Sequence, residues 1–181
     1  MARFFLALTL IVFGTLSLAQ ESETPAPEVV PEPAMTLERL ASIIKIIDED
    51  AQMRGATIQF TVQDIPVMVV ADPRADRMRA MVPIRSADSL DAAELMRLMQ
   101  ANFDTALDAR YAVAQGRLWG VFIHPLSPLE QDQFLSAIAQ TVNVARTYGQ
   151  TYSGGAQVFG GGDSNGIYQN LLDELRKGQA L

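Results

Sequence analysis

ARYAVAQGRLWGVFI, residues 109–123, is the stretch of sequence that decides the fold. Two runs rich in β-forming residues, 109–114 and 117–123, flank the dipeptide Gln115-Gly116. Two turn residues that end in glycine, placed between such runs, are typical of a tight β-hairpin. The stretch therefore predicts two antiparallel strands that follow each other along the chain.

The second strand of this hairpin has apolar side chains on both faces. Successive side chains of a strand point to opposite sides of the sheet, so Leu118 and Phe122 share one face. The other face carries Trp119, Val121 and Ile123. We therefore expect a strand with one face on the core and a second apolar face that needs cover.

Three further strands are predicted before the hairpin. Residues 57–62 alternate between apolar and polar side chains, the period of a half-buried strand. Residues 66–71 are apolar on both faces, as in a strand that is covered on both sides. Residues 77–84 alternate again. Because Pro83 has no N–H for a ladder, we expect this last strand to end there or to lie at a sheet edge.

Two helices are predicted around these strands, one before the first and one after the third. Thr36 is a suitable N-cap for the first helix, and an apolar stripe with helical spacing follows it. The second helix is expected to open at residues 86–90 and to fill the core with its apolar side. The side chains assigned to that apolar side are Leu95, Met96, Leu98, Met99 and Phe103.

A third helix has the clearest start signal in the chain. The tetrapeptide Ser127-Pro128-Leu129-Glu130 has a serine for the N-cap, a proline for the first turn and a glutamate three residues after the serine. This pattern predicts a capping box with proline at the first helical position. Gly149 is the expected C-terminal stop.

The element order α-β-β-β-α-β-β-α predicts an α+β domain, an antiparallel sheet with helices packed on it. Helices on one face leave the apolar side chains of the opposite face uncovered, and such a face usually has a partner. The residues predicted to bind that partner are Met68, Val70, Trp119 and Val121. The sequence leaves three possible partners for this face: a second subunit, a client peptide, or the C-terminal helix of the chain itself.

Residues 1–19 have the three parts of a cleavable signal peptide, with cleavage expected between Ala19 and Gln20. A retained anchor is the alternative, but the apolar core is shorter than a membrane span requires. Residues 20–35 are rich in proline and glutamate and predict a linker. The protein is therefore expected in the periplasm or outside the cell, with no membrane span after cleavage.

The predicted domain, residues 36–149, is followed by a glycine-rich tether at residues 150–166. Residues 167–178 then form a short amphipathic helix. A helix of this length is marginal alone in water, so it has to dock on something. The chain has no cysteine, and the fold therefore has to be held by packing rather than by disulfides.

No catalytic, metal or cofactor site is predicted from these residues. A formal net charge of −7 opposes binding to nucleic acid. His124 is the only histidine, and the sequence places beside it neither a nucleophile nor the carboxylates of a zinc site.

Four segments resemble the bacterial YbjN-like family: NFD at 102–104, DARYAV at 108–113, GRLW at 116–119 and HPLSPL at 124–129. The resemblance covers residues 36–149. It implies a fold similar to that of type III secretion chaperones and a non-enzymatic protein- or peptide-binding domain, described as a sensory transduction regulator or chaperone-like module. The signal, linker and tethered helix depart from the family pattern and argue against a cytoplasmic role carried over from relatives.

The sequence therefore favours an exported module that binds a partner protein or peptide, chaperone-like or regulatory. A structural, envelope-associated homodimer without a client is the alternative. An enzyme with an unrecognised site is the third hypothesis.

Overall fold

The computed structural model describes residues 31–104, 107–149 and 165–179; the predicted signal peptide, residues 20–30 of the linker and residues 150–164 of the tether lie outside this part. A short 3-10 helix, Ala87–Ser89, precedes the second α-helix. The helices are α1 (Leu37–Ile47), α2 (Ala92–Asp104), α3 (Gln131–Arg146) and α4 (Asn165–Arg176). The strands are β1 (Gln52–Arg54), β2 (Thr57–Val62), β3 (Ile65–Asp72), β4 (Arg77–Ser86), β5 (Arg110–Ala114) and β6 (Arg117–Pro125).

The strands form one sheet in the order β1-β2-β3-β4-β6-β5, and every neighbouring pair is antiparallel. The α+β class with an antiparallel sheet is thus confirmed, with β1 as an additional strand at one edge. β1 was not predicted, because its three residues are all exposed and carry no alternation. The turn after it depends on Gly55, which has a φ of 59°.

One face of the sheet, called the inner face from here on, is packed under the helices. Its buried side chains include Ile58, Val67, Val69, Met78, Ala80, Val82, Leu118 and Phe122. α3 approaches β6 so closely at Gly120 that a Cβ there would lie 2.8 Å from Val144 Cγ2. Glycine at this position is therefore required by the helix–strand contact rather than by a turn.

α1 begins as predicted, since Thr36 Oγ1 accepts a hydrogen bond from the Arg39 N–H at 3.2 Å. The domain itself starts before the predicted boundary at residue 36. Met35 is 2% exposed, and its N–H donates to the Ser127 carbonyl at 3.1 Å. The Glu32 carboxylate accepts from the Gln131 N–H at 3.1 Å, and this bond lowers the Glu32 pKa more than the Arg39 side chain does. The prediction of a linker up to residue 35 is therefore wrong for residues 32–35.

The predicted start of the third helix is also wrong. α3 has Glu130 as its N-cap, and the Glu130 N–H donates to Gln133 Oε1 at 3.1 Å. Ser127 instead bonds the distant Asp76, from its N–H at 2.7 Å and from its hydroxyl at 2.9 Å. Both bonds lower the pKa of Asp76, and the bond from the Ser127 backbone N–H has the larger effect. A serine already satisfied by the β3–β4 turn cannot cap the helix, which begins at Gln131 as a result.

Pro83 does not end its strand, although β4 is unpaired on its β3 side at this residue. β4 continues to Ser86 between β3 and β6, with a register shift between Pro83 and Arg85. The β3–β4 ladder stops at the pair Met68–Met81. Extending that register would place Pro66 opposite Pro83, two residues that cannot donate ladder bonds. A proline is tolerated inside this sheet because β4 has no partner on its β3 side at that point.

α4 packs on the helical side of the domain. Its buried leucines, Leu171 and Leu172 among them, belong to the main core. Arg176 holds Asp132 of α3 through two bonds of 2.7 and 2.6 Å. At its end, the Gln179 side chain donates to the carbonyl of Ile43 in α1 at 3.3 Å. The tether predicted to reach residue 166 ends sooner, because α4 starts at Asn165.

Candidate binding surface

The four residues predicted to bind a partner lie on one face of the sheet, opposite the inner face. The register places Met68 beside Met81 and Met81 beside Val121, and Trp119 and Val70 point to the same side as these three. We call this side the outer face. The period of two along each strand separates it from the buried set, so Val69 is fully buried while Val70 is half-buried.

Apolar side chains form a continuous strip over β3, β4 and β6 on the outer face, called the apolar strip from here on. Its members are Met68, Val70, Met81, Pro83, Trp119, Val121 and Ile123. Six of them are half-buried by their neighbours on the sheet, and Ile123 is 56% exposed. The four helices described above pack on the inner side, which leaves the strip facing outward. C-terminal helix α4 is therefore not the occupant of this face in the structure.

Two shallow hollows open on the outer face. The first, of about 370 Å³, lies beside Pro66, Met68 and Pro83, where the β3–β4 ladder has stopped. The second, of about 440 Å³, lies at the other end of β4 and is lined by Val70, Ile123 and two arginines. Together they make the strip uneven, with room for protruding side chains of a partner.

The Trp119 side chain is held in place on the β5–β6 hairpin. Its indole N–H donates to the Ala114 carbonyl at 3.0 Å. The predicted two-residue turn, Gln115-Gly116, is present and has positive φ at both residues, 52° and 67°. An aromatic ring whose polar atom is already satisfied offers its apolar surface without a desolvation penalty.

Basic side chains gather on the outer face although the whole chain carries a net charge of −7. The strand positions on this face include five arginines: Arg54, Arg77, Arg79, Arg110 and Arg117. The same strand positions include one acid, Asp72, whose carboxylate accepts hydrogen bonds from the N–H groups of Arg74 and Ala75 in the turn. Within the described ranges none of the five arginines forms an ion pair with a carboxylate.

A second apolar surface lies on α2, where the core prediction is largely wrong. Only Leu98 of the five predicted core side chains is buried, whereas Met96 is 68% and Phe103 79% exposed. The exposed side chains, called the α2 stripe from here on, are Leu95, Met96, Met99 and Phe103. At about 100° per residue, these four fall within an arc of about 100° that excludes Leu98. A helical projection of the sequence could therefore have separated the stripe from the buried side.

α2 attaches to the sheet through a narrow contact, which explains why its stripe stays outside. Leu98 and Ala101 pack on Tyr111 and Leu118 of the hairpin. The Asn102 amide accepts the Tyr111 N–H at 2.7 Å and donates to the Tyr111 carbonyl at 3.0 Å. This side chain takes the place of a neighbouring strand at the β5 edge.

The structure places His124 in a packing role. Its ring stacks on Phe122 with centroids 6.0 Å apart, and Nδ1 lies 2.8 Å from the Pro125 carbonyl. Among the residues described, no three side chains of histidine, cysteine, aspartate or glutamate come together as a metal site. In the same part of the chain, no helix is long and apolar enough to cross a bilayer.

Compared with protein-family models and with curated proteins, the chain matches none. The resemblance to the YbjN-like family and to type III secretion chaperones thus stays a prediction, while the α+β class rests on the structure itself.

Proposed function

We propose that the protein is an exported, non-enzymatic binding module that holds a partner protein or peptide on the outer face of its sheet, in a chaperone-like or regulatory role. The observation that carries the proposal is the apolar strip on the side of the sheet away from the core. An antiparallel sheet with one solvated face normally shows polar side chains there. Here three adjacent strands place Met68, Val70, Met81 and Val121 at those positions instead.

These side chains lie outside the hydrophobic core of the domain. The inner face already supplies a complete core under α1, α3 and α4. Exposed apolar surface gains its hydrophobic stabilisation only when something removes it from water. A bound partner supplies that cover.

Photocrosslinking from the outer face tests the proposal. A benzophenone amino acid replaces Val121. The full chain, including residues 1–19, is expressed in a bacterium that has a periplasm, and the cells are then irradiated. We expect a discrete adduct of higher mass that contains a second protein. The matched control places the same amino acid at Lys45, which is exposed on α1 on the opposite side of the domain. No adduct from position 121, or equal adducts from both positions, would contradict the proposal.

Self-association is a second candidate function, and the α2 stripe favours it. Four exposed apolar side chains on one side of a helix can be buried by the same stripe of a second copy across a two-fold axis. On this hypothesis the native chain sediments as a dimer, and Met96→Asp with Phe103→Asp converts it to a monomer. A native monomer at all accessible concentrations rules the hypothesis out.

A further inference from the structure

We infer that the partner segment is an amphipathic α-helix with carboxylates along the flanks of its apolar side, an inference that rests on the proposed function. The partner chemistry follows from the charges, the shape and the backbone groups of the outer face.

Charge complementarity indicates the sign of the charge that the partner segment carries. The chain has 21 acidic and 14 basic residues, yet the outer-face strand positions hold five arginines and one aspartate. Two further carboxylates, Asp48 and Asp50, line the first hollow, whereas Arg77 and Arg79 line the second. The basic end of the strip is therefore the end at the second hollow. Arg79 lies between Val70 and Ile123 in the register, beside the second hollow. A carboxylate that approaches over Val70 therefore meets a guanidinium that no described acid has already neutralised.

The dimensions of the apolar strip fit one helix. It extends across β3, β4 and β6, and two gaps of about 4.8 Å make it about 10 Å wide. A helix with its side chains has a diameter of about 10–12 Å. The strip runs for four residue steps along β6, from Trp119 to Ile123, which at about 3.4 Å per residue gives a length of about 14 Å. About nine helical residues span that length, so the ends of a helix of about 18 residues, about 27 Å long, extend past the strip over the flanking strand positions.

Backbone hydrogen bonding favours a helix over an extended peptide at this place. The face of a sheet offers side chains but no free N–H or C=O groups. An extended segment that lay on it would bury its own backbone groups without partners, at a cost of about 1–3 kcal/mol each. A helix satisfies these groups internally.

Strand addition at the sheet edges is restricted in this fold. At the β5 edge, the Asn102 amide occupies both backbone groups of Tyr111. At the opposite edge, β1 has only three residues. Short and blocked edges are how sheets avoid pairing with other chains, so the outer face, rather than an edge, is the part of the sheet open to a partner.

A designed peptide of about 18 residues provides the probe. It has leucine at positions spaced by three and four, glutamate on both flanks and alanine elsewhere. A scrambled peptide of the same composition and a version with lysine for glutamate are the controls. Binding to the chain beginning at Gln20 is followed through Trp119, the only tryptophan, and by calorimetry.

We expect the glutamate peptide to bind and the two control peptides to bind at least about tenfold more weakly, since each loses either the apolar side or the complementary charge. The variant Arg79→Glu should weaken binding of the glutamate peptide by about tenfold and strengthen binding of the lysine peptide. Arg146→Glu, the same charge change at the exposed last residue of α3, should leave the affinity within about twofold.

Several outcomes would overturn the inference. They are equal binding of the scrambled peptide, equal weakening by Arg79→Glu and Arg146→Glu, or no binding of the glutamate peptide. Binding of an anionic vesicle or a single-stranded oligonucleotide more tightly than the glutamate peptide would also overturn it. So would displacement of the glutamate peptide by α2 of a second copy of the chain. A Val121 adduct without peptide binding separates this failure from failure of the proposed function: the outer face then binds a partner of another chemistry.

Discussion

The two faces of the sheet use the same strands for different purposes, and Val69 and Val70 show the contrast best. These neighbours are the same residue type on the same strand, yet Val69 is fully buried under the helices and Val70 is half-buried on the outer face. The inner face is covered by elements of the domain itself. The outer face is as apolar along its centre but has no such cover. On the proposed function, folding sets the composition of the inner face and the bound partner sets that of the outer face.

The largest expected effect comes from the centre of the inner side. Phe134 of α3 is fully buried, so Phe134→Ala leaves a cavity and should cost about 3–5 kcal/mol of unfolding free energy. Urea denaturation measures this loss. Ile123→Ala, which truncates an exposed side chain of the outer face, should change the unfolding free energy by less than about 0.5 kcal/mol. Similar losses in the two variants would remove the distinction between the faces.

The close contact between α3 and β6 should tolerate no added atoms. Gly120→Val inserts a side chain where even a Cβ would lie 2.8 Å from Val144 Cγ2 and 3.1 Å from the Thr141 carbonyl. We expect a loss of about 2–3 kcal/mol, measured by thermal or urea unfolding. Ala114→Val, at an exposed position of β5, is the control and should be near neutral. Unchanged stability of Gly120→Val would show that α3 does not seal the inner face there.

The neighbouring valines allow the most closely matched comparison. Val69→Thr buries a hydroxyl on the inner face and should cost about 1–2 kcal/mol of stability. Val70→Thr places the same group on the outer face, where water reaches it, and should cost less than about 0.5 kcal/mol. Equal free energies of unfolding would mean that both faces are buried in solution, for instance by self-association.

A smaller effect is expected at the contact that fastens α4. Arg176→Gln removes the paired bonds to Asp132, a partly exposed ion pair, so the loss should be about 0.5–1 kcal/mol. Hydrogen exchange of α4 amides measures it locally, and exchange of β4 amides is the internal control. Faster exchange throughout the sheet would show that α4 opens together with the sheet rather than separately from it.

The same ion pair should make α4 docking sensitive to acid. Hydrogen bonds from Arg176 hold the pKa of Asp132 below its ordinary value of 3.8. Docking then gains stability that is present above pH about 3.8 and is lost as the pH falls through the lowered pKa. Exchange of α4 amides should accelerate in that range in the native chain and less so in Asp132→Asn. An identical acid response of the two proteins would assign the sensitivity to other carboxylates.

Much of the sheet follows from local alternation, which is why β2 has the predicted bounds and why the side chains that share each face of β3 and β6 were assigned correctly. The cover expected on both sides of residues 66–71 is present only on the inner face. The failures come from contacts that are distant in sequence. Ser127 bonds Asp76 from another turn, and this bond moves the start of α3. Likewise, Pro83 is accepted inside the sheet because β3 stops pairing before it. Neither partner is recognisable from the residues next to these positions.

The residues of the candidate site were likewise predicted only where local alternation decides their position. Met68, Val70, Trp119 and Val121 were found because a period of two fixes which side chains share a face. The arginines opposite the core needed the register between strands, which brings Arg54, Arg79 and Arg110 to one side. The α2 stripe was not predicted, because methionine and phenylalanine on a helix are typical of a core. Their helical positions nevertheless place them on a different side from the buried Leu98.

The most direct test combines the two faces in one measurement. The variant Val70→Asp places a charge in the apolar strip, where Arg79 lies opposite it in the register. Two quantities are then measured for this variant: the yield of the photoadduct from position 121 and the midpoint of urea unfolding. If the outer face binds a partner and the inner face holds the fold, the adduct is lost while the midpoint stays close to that of the native chain. An adduct of native yield in the folded variant would contradict the account.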